Sequence, residues 1–455
     1  MDLFKKVLIA NRGEVALRIL RACQELEIAT VAVHSTADSD SMHVKLADEA
    51  VCIGPPAGRD SYLNMVALLT AAEITDADAV HPGVGFLAES EKFASMVESH
   101  ERTFIGPSPQ MIATMGDKVK AKEAALDAGI PVVPGSDGEI QSLSEARDVA
   151  ARVGYPVLVK ATSGGGGRGM KVAATEAELE QALSVASSEA KAAFGNAAVY
   201  MEKYLSRPRH IEIQVLGDKH GKVIHLGERD CSLQRRHQKI LEEGPSPALT
   251  AEQRDDIGQR TANAVARMGY DSLGTVEYLY EDGQFYFIEM NTRMQVEHPV
   301  TELITGIDLV RKQIRVAAGQ PLDINQDDVK FYGHAIECRI NAEDPFTFMP
   351  SPGNIKQFHV PGGPGVRIDS HLYSGYKIPP YYDSLAAKLL VHARNRPEAI
   401  RRMRRALREM IVEGIKTNQP LHSLLLEQPD IQSGEYTIRW LEAFLEKREN
   451  GADGN

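Results

Sequence analysis

The chain has 455 residues, 43% of them hydrophobic and 25% charged, which is ordinary for a folded globular protein and long enough that two or three domains are expected. A formal net charge of −12 argues against wholesale binding to nucleic acid or an anionic membrane, so any anionic ligand must be met by a local cluster of Lys and Arg. The four cysteines, Cys23, Cys52, Cys231 and Cys338, show no CxxC spacing and are expected as free thiols in a reducing cytoplasm; Val7-Leu8-Ile9-Ala10 is too short for a signal peptide, and no stretch approaches a transmembrane span.

Lys6 to Ala10 reads as a buried strand, Val15 to Leu26 as an amphipathic helix and Ala29 to His34 as a second strand. Further apolar runs at 51–53 and 77–80 extend this to a parallel sheet flanked by helices. The G-x-G-x-x-G turn of a dinucleotide site is missing, since only Gly13 follows the first strand, so that turn is expected to pack rather than to bind a cofactor. Gly106-Pro107-Ser108-Pro109 reads as a break, followed by a helix from Lys118 to Asp127 with Asp117 as its cap. A short α/β unit follows, with strands at 156–160 and 198–202 and a helix at 176–193; its size suits a mobile lid. Residues 211–227 and 275–290 read as strands, and after Phe331 a mixed region ends in helices at 397–410 and 437–447. Domains are therefore expected at 1–115, 116–331 (with the lid at about 132–203) and 332–455.

Three stretches carry chemistry. The loop Ser163 to Gly169 follows a strand ending at Lys160, and its glycines let backbone N–H groups approach phosphate oxygens; with no Gly-Lys-Ser/Thr and a return to strand at Met170-Lys171-Val172, it resembles a hairpin over a nucleotide rather than a Walker loop. In Phe285 to His298, period two puts Glu289, Asn291, Arg293, Gln295 and Glu297 on one face. Glu281-Asp282-Gly283 is expected as a three-residue hairpin loop that sets Glu277 on the face of Glu289, and these oxygen donors suit hard Mg²⁺. Glu228 to Lys239 gathers Arg229, Arg235, Arg236, His237 and Lys239 to meet phosphate or bicarbonate, the competing reading being surface ion pairs. Cys231 reads as a buried small thiol and Arg401 to Arg405 as a solvated helix face.

Glu289 to Glu302, the glycine loop, Arg229 to Lys239 and His81-Pro82-Gly83 together resemble biotin carboxylase, the component of acetyl-CoA, propionyl-CoA and pyruvate carboxylases, over Lys6 to about Gly414. The resemblance implies an ATP-grasp fold, α/β and α+β, with a Rossmann-like N-terminal domain, a lid and a mixed C-terminal domain. It implies nucleotide contacts at Lys118, Lys160, Gly166, Gly167, His210, Gln234 and Leu279, adenine beside Glu202-Lys203-Tyr204-Leu205, and ribose near His237. Glu277, Glu289 and Asn291 would hold Mg²⁺ or Mn²⁺; bicarbonate would meet Lys239, Arg293, Gln295 and the Val296 backbone, with Glu297 as general base and Arg339 serving bicarbonate and biotin.

The implied reaction is ATP-dependent carboxylation of biotin by bicarbonate through carboxyphosphate. Val84 stands where the family often has an aromatic toward biotin, and no Met-Lys-Met attachment sequence occurs. The biotin carboxyl carrier protein and the carboxyltransferase are thus expected as separate partners, and a homodimer is the family expectation. The alternative is another ATP-grasp ligase forming an acyl-phosphate, akin to carbamoyl-phosphate synthetase or a purine-pathway carboxylase.

Overall fold

A computed structural model of the protein describes residues 3–161, 170–194 and 196–452. The chain divides into two compact units, one made of 1–130, 209–278 and 288–455, the other of 131–208 and 279–287.

In the first unit the N-terminal segment forms a wholly parallel sheet. Its strands are β1 (Lys6–Ile9), β2 (Ala29–Ser35), β3 (Glu49–Gly54), β4 (Ala79–His81) and β5 (Thr103–Phe104), in the order β3-β2-β1-β4-β5. Val7, Leu8 and Ile9 are all buried because apolar clusters cover both faces of β1. The turn after β1 packs, as expected. Arg12 makes a bidentate pair with the fully buried Asp38 (Nε–Oδ2 2.7 Å) and lies over the Tyr382 ring. The stretch read as a break at 106–109 instead starts the helix Pro109–Gly116, with Ser108 accepting from the Met111 N–H and Pro109 in the first turn. Asp117 Oδ1 accepts from the Lys120 N–H at the start of the helix Lys118–Asp127.

The larger sheet has the order β13-β12-β9-β10-β11-β14-β16-β15. Its strands are β9 (Arg209–Gly217), β10 (Val223–Arg235), β11 (Gln238–Gly244), β12 (Leu273–Glu281), β13 (Gln284–Asn291), β14 (His334–Asn341), β15 (Val366–Ser370) and β16 (Leu385–Ala393). Alternation on β14 splits this sheet into two faces. Ile336, Cys338 and Ile340 join an apolar core with the helix Arg396–Glu409, whose Ala399, Ile400, Met403 and Leu407 turn inward; of the arginines expected on a solvated face Arg401 is exposed, while Arg402, Arg404 and Arg405 are half-buried. The opposite face is charged. Antiparallel register sets Glu242 opposite Glu337, Arg339 opposite Lys388 and Lys388 opposite Asp369, so these five side chains share one surface.

The loop between β12 and β13 is two residues long, not three. Asp282 (φ 50°) and Gly283 (φ 80°) are both left-handed, the signature of a type I′ turn, so parity no longer sets Glu277 on the face of Glu289.

The second unit has the sheet β7-β6-β8, with β6 (Val157–Ala161), β7 (Met170–Ala173) and β8 (Val199–Lys203), beside helices Leu143–Val153 and Glu176–Phe194. Val157, Val159, Leu179, Val199 and Met201 fill its core. β6 and β7 form the expected antiparallel hairpin, Lys160 opposite Met170, while Gly166 and Gly167 lie outside the described residues. The helix Leu143–Val153 was not anticipated, although Ser142 and Glu145 carry a cap signature: the Ser142 Oγ accepts from the Glu145 N–H. No helix among the described residues is long and apolar enough to cross a membrane.

Candidate functional site

The site is built around a buried arginine. Arg229, on β10, is fully buried and donates five hydrogen bonds, to Glu212 Oε1 (2.6 Å), Gln214 Oε1 (2.7 Å), Thr301 Oγ1 (2.8 Å), Gln295 Oε1 (2.7 Å) and Thr275 Oγ1 (3.3 Å). A guanidinium has five N–H groups, so Arg229 is saturated by protein. It is therefore neither an anion ligand nor a surface pair, the two readings of its sequence cluster; it fixes Glu212 and Gln295.

Next to it, β11 carries Lys239 into a ring of carboxylates. Its Nζ donates to Glu212 Oε2 (2.5 Å), Glu297 Oε1 (2.6 Å) and Glu277 Oε1 (3.1 Å). Burial disfavours the ammonium, but Glu212, Glu297 and Glu277 outweigh it and hold Lys239 charged. Glu297 lies just before the helix His298–Thr305 and is 2% exposed. Its second oxygen accepts from Arg339 Nη2 at 2.9 Å. Burial opposes its charge, yet Lys239, Arg339 and Arg229 draw its carboxyl well below the usual range. Arg339 Nε donates in turn to Glu242 Oε1 at 2.5 Å.

The polar side chains expected to share a face from 289 to 297 separate in part. β13 ends at Asn291, and beyond it the chain is irregular. Asn291 Nδ2 (2.9 Å) and Gln295 Nε2 (2.8 Å) both donate to Glu277 Oε1. Arg293 turns to Glu89, with Nε–Oε2 2.9 Å, and to Asn291 Oδ1 at 2.8 Å; Glu89 also accepts from the Thr292 N–H. Val296 offers its carbonyl to Lys388 Nζ at 2.8 Å. Glu289 is exposed, and Asn291, two residues on and on the same face of β13, reaches Glu277.

The expected nucleotide contacts fall in both units. In the second, Lys160 pairs with Glu202 across β6 and β8, the Tyr204 N–H donates to Pro156 O (3.0 Å), Lys203 N–H donates to Pro134 O (2.8 Å), Leu205 is buried and Leu279 half-buried. In the first, His210 Nε2 lies 2.9 Å from Glu277 Oε2, Gln234 is buried opposite Lys239, and His237 is exposed in the β10–β11 turn at φ 64°. Lys118 begins its helix, and its side chain is outside what is described. Val84 is half-buried against the N-terminal core, its carbonyl accepting from Asn11 Nδ2 at 2.8 Å.

His210, Glu212 and Glu277 each place a ligand atom within 4.8 Å of the others. Burial resists ionisation of Glu277, but Lys239 and His210 prevail and hold it well below the usual carboxylate range. A deprotonated Glu277 with the Asn291 amide is a hard oxygen donor set, which fits a magnesium or manganese ion. Glu212, Glu89, Glu242 and Lys388 are members of this site that sequence reasoning missed. For Glu212 a signal existed in the polar alternation His210, Glu212, Gln214 along an otherwise apolar strand.

Comparison with known proteins points to one family. Residues 3–112 match the biotin carboxylase N-terminal domain, 117–325 the carbamoyl-phosphate synthase L chain ATP binding domain, and 337–443 the biotin carboxylase C-terminal domain. A biotin carboxylase of Haemophilus influenzae is 59% identical over 97% of this chain and 99% of its own length. Among solved structures, the bicarbonate-bound biotin carboxylase domain of a thermophilic 2-oxoglutarate carboxylase superposes with a TM-score of 0.93 at 49% identity, covering 97% of this chain and 98% of that one. The Hydrogenobacter thermophilus 2-oxoglutarate carboxylase domain, a dimer in complex with MgADP, ADP and bicarbonate, gives 0.88 at 51% identity, covering 97% and 98%. The chain belongs to the biotin carboxylase family of ATP-grasp, ATP-dependent carboxylating ligases.

Proposed function

We propose that this protein carboxylates biotin on a separate carrier protein, using bicarbonate and MgATP through carboxyphosphate. The observation that carries the reading is the Lys239–Glu297–Arg339 cluster, two cations closed on one buried carboxylate. A carboxylate held this low is a weak base. Bicarbonate that draws Lys239, Arg293 and Gln295 to itself lifts part of that hold, so the proton affinity of Glu297 rises when there is a proton to accept. Lys239 and Arg293 orient the anion, with the Val296 backbone, for attack on the γ-phosphorus. Carboxyphosphate forms as the β,γ-bridging P–O bond breaks, and its decay beside biotin leaves CO₂ and a phosphate that takes the ureido proton. Arg339 stabilises the negative charge that then develops on the biotin ring.

Glu277, Glu289 and Asn291 are the residues we assign to Mg²⁺ or Mn²⁺, which when bound neutralises phosphate charge. Lys118, Lys160, Gly166, Gly167, Glu202, Lys203, Tyr204, Leu205, His210, Gln234, His237 and Leu279 are assigned to the nucleotide. The segments 1–115, 116–331 and 332–455 are taken as the functional domains, with 132–203 as a lid. A cytoplasmic homodimer serving a biotin carboxyl carrier protein and a carboxyltransferase completes the reading. The Hydrogenobacter relative's dimer and its MgADP and bicarbonate complex support it.

The test is ATP hydrolysis with and without bicarbonate and free biotin. Cleavage that needs bicarbonate and is accompanied by carboxybiotin is expected. Bicarbonate-dependent cleavage that yields a phosphorylated or carboxylated amine other than biotin would favour a different ATP-grasp ligase.

A further inference from the structure

Behind Arg339 lies a carboxyl group that the proposed reaction leaves unused. Glu337 sits two residues before Arg339 on β14, is wholly buried, and has no hydrogen-bond partner at either oxygen among the described residues. Its cross-strand neighbour on β11 is another buried acid, Glu242, of which Oε1 accepts from Arg339 and Oε2 has no partner among the described residues. Side chains directly opposite in an antiparallel pair have Cβ atoms about 4.5–5.5 Å apart, so two glutamates reach each other with ease. Two carboxylates in so dry a place cannot both be charged.

The surrounding charges decide which form is kept. Glu337 faces Glu242 from β11, Arg339 from its own strand, Lys388 from β16 and Glu297 from the segment leading into the helix His298–Thr305; that helix adds the buried His298, and His422 meets the Arg339 carbonyl at 2.8 Å. Lys388 acts on Glu337 through its charge without a direct ion pair, since its Nζ is 2.8 Å from Val296 O, 3.1 Å from Glu14 Oε2 and 3.8 Å from Asp369 Oδ2. Burial first, then the charges of Glu242 and Glu297, push Glu337 well above the ordinary carboxylate range against the pull of Lys388 and Arg339. Burial likewise pushes Glu242 up to about 7 against Arg339, so both carboxyls of the pair hold a proton more tightly than an ordinary glutamate.

We propose that Glu337 is a positioning residue that acts on Arg339 through Glu242, by lending Glu242 its proton when Arg339 turns its charge toward biotin. In the resting enzyme the guanidinium is divided between Glu242 and Glu297. On substrate binding the O–H bond of Glu337 breaks and a bond forms to Glu242 Oε2. Glu242 becomes a neutral acid, Glu337 a carboxylate facing Lys388, and Arg339 keeps its full positive charge for the developing anion. The proton returns when product leaves, so the step consumes nothing. This rests on the assignment of Arg339 to biotin made above.

Glu337→Gln keeps size and neutrality but has no proton to lend. Expected is a loss of about 10-fold or more in kcat for biotin carboxylation. Bicarbonate-dependent ATP cleavage without biotin and the KM values for ATP and bicarbonate should stay near wild type, and Glu337→Asp should recover part of the lost rate. The infrared spectrum of the resting wild type should show the C=O stretch of a buried protonated carboxyl that Glu337→Gln lacks. Absence of that band, unchanged carboxylation, or equal loss of both activities would overturn the proposal. A wild type without any bicarbonate-dependent cleavage would instead sink the functional reading, and the infrared result would still stand or fall by itself.

Discussion

Lys239 and Glu297 form a closed ion pair, Nζ to Oε1 2.6 Å, with side chains 11% and 3% exposed. Because Lys239 is the largest of the charges favouring ionised Glu297, its removal must raise the proton affinity of that carboxyl. The sign follows directly. A group held low loses its charge only at very acid pH, and lifting it moves that loss toward neutrality. In Lys239→Gln the acid limb of the residual bicarbonate-dependent ATP cleavage should therefore shift to higher pH. A pH–rate profile displaced the other way, or not at all, would separate the two residues.

Arg229 gives the clearest stability prediction. Its removal leaves Glu212 buried beside fewer cations and Gln295 without its anchor, a loss of about 3–5 kcal/mol when one partner of a buried pair is deleted. Arg229→Met should lower the urea midpoint accordingly, whereas Arg401→Ala, on an exposed helix face, should stay within about 0.5 kcal/mol of wild type. Equal midpoints would mean that Arg229 does not hold the site together.

Thiol chemistry tests burial. Cys23, Cys231 and Cys338 are buried and Cys52 is exposed; burial pushes the Cys23 thiol up to about 12. A chromogenic disulfide reagent should titrate one thiol rapidly in the native protein and all four in denaturant, and Cys52→Ser should abolish the fast reaction. Rapid labelling of more than one would contradict the packing.

His43 makes stability depend on pH. It is wholly buried and bonded to Val33 O and Ser41 Oγ; burial lowers it from 6.5 to about 4, with Asp38 opposing and Arg12 and His34 adding to the fall. The unfolded chain takes the proton first as pH drops, so this group's contribution is full above pH 6.5 and is lost toward pH 4. The loss amounts to about 3 kcal/mol at most. His43→Gln should flatten the stability curve across that window. An unchanged slope would mean His43 titrates normally in the fold.

Four of the five strands of the parallel sheet were legible as short apolar runs between turn signals, and β1 and its helix fall within a few residues of expectation, whereas the two-residue β5 is too short to show a pattern. The polar stretch from Asn291 to Glu297 stands out in sequence by its amides, arginine and acid beside Phe285 to Phe287, and the structure brings its Asn291 and Gln295 together on Glu277. What sequence did not show was the second side of each contact. Glu89 meets Arg293 across 204 positions and Glu242 meets Arg339 across 97, separations no local pattern encodes. Arg229 misled for a related reason: in sequence a buried scaffold arginine looks the same as an anion ligand, and only its five satisfied donors tell them apart. β14 was the nearest miss, because the alternation Glu337, Arg339 against Ile336, Cys338, Ile340 already announced a charged face.

The measurement that bears most directly on the proposed chemistry compares Glu297→Gln with Arg339→Ala in two assays, bicarbonate-dependent ATP cleavage and biotin carboxylation. A general base acts before phosphoryl transfer, so Glu297→Gln should lower both activities together by about 10²- to 10⁴-fold while keeping nucleotide affinity. Arg339, acting on the later charge, should spare more of the ATP cleavage than of the carboxylation when replaced. Near-normal bicarbonate-dependent turnover in correctly folded Glu297→Gln would contradict the account, and the bicarbonate proton would need another acceptor.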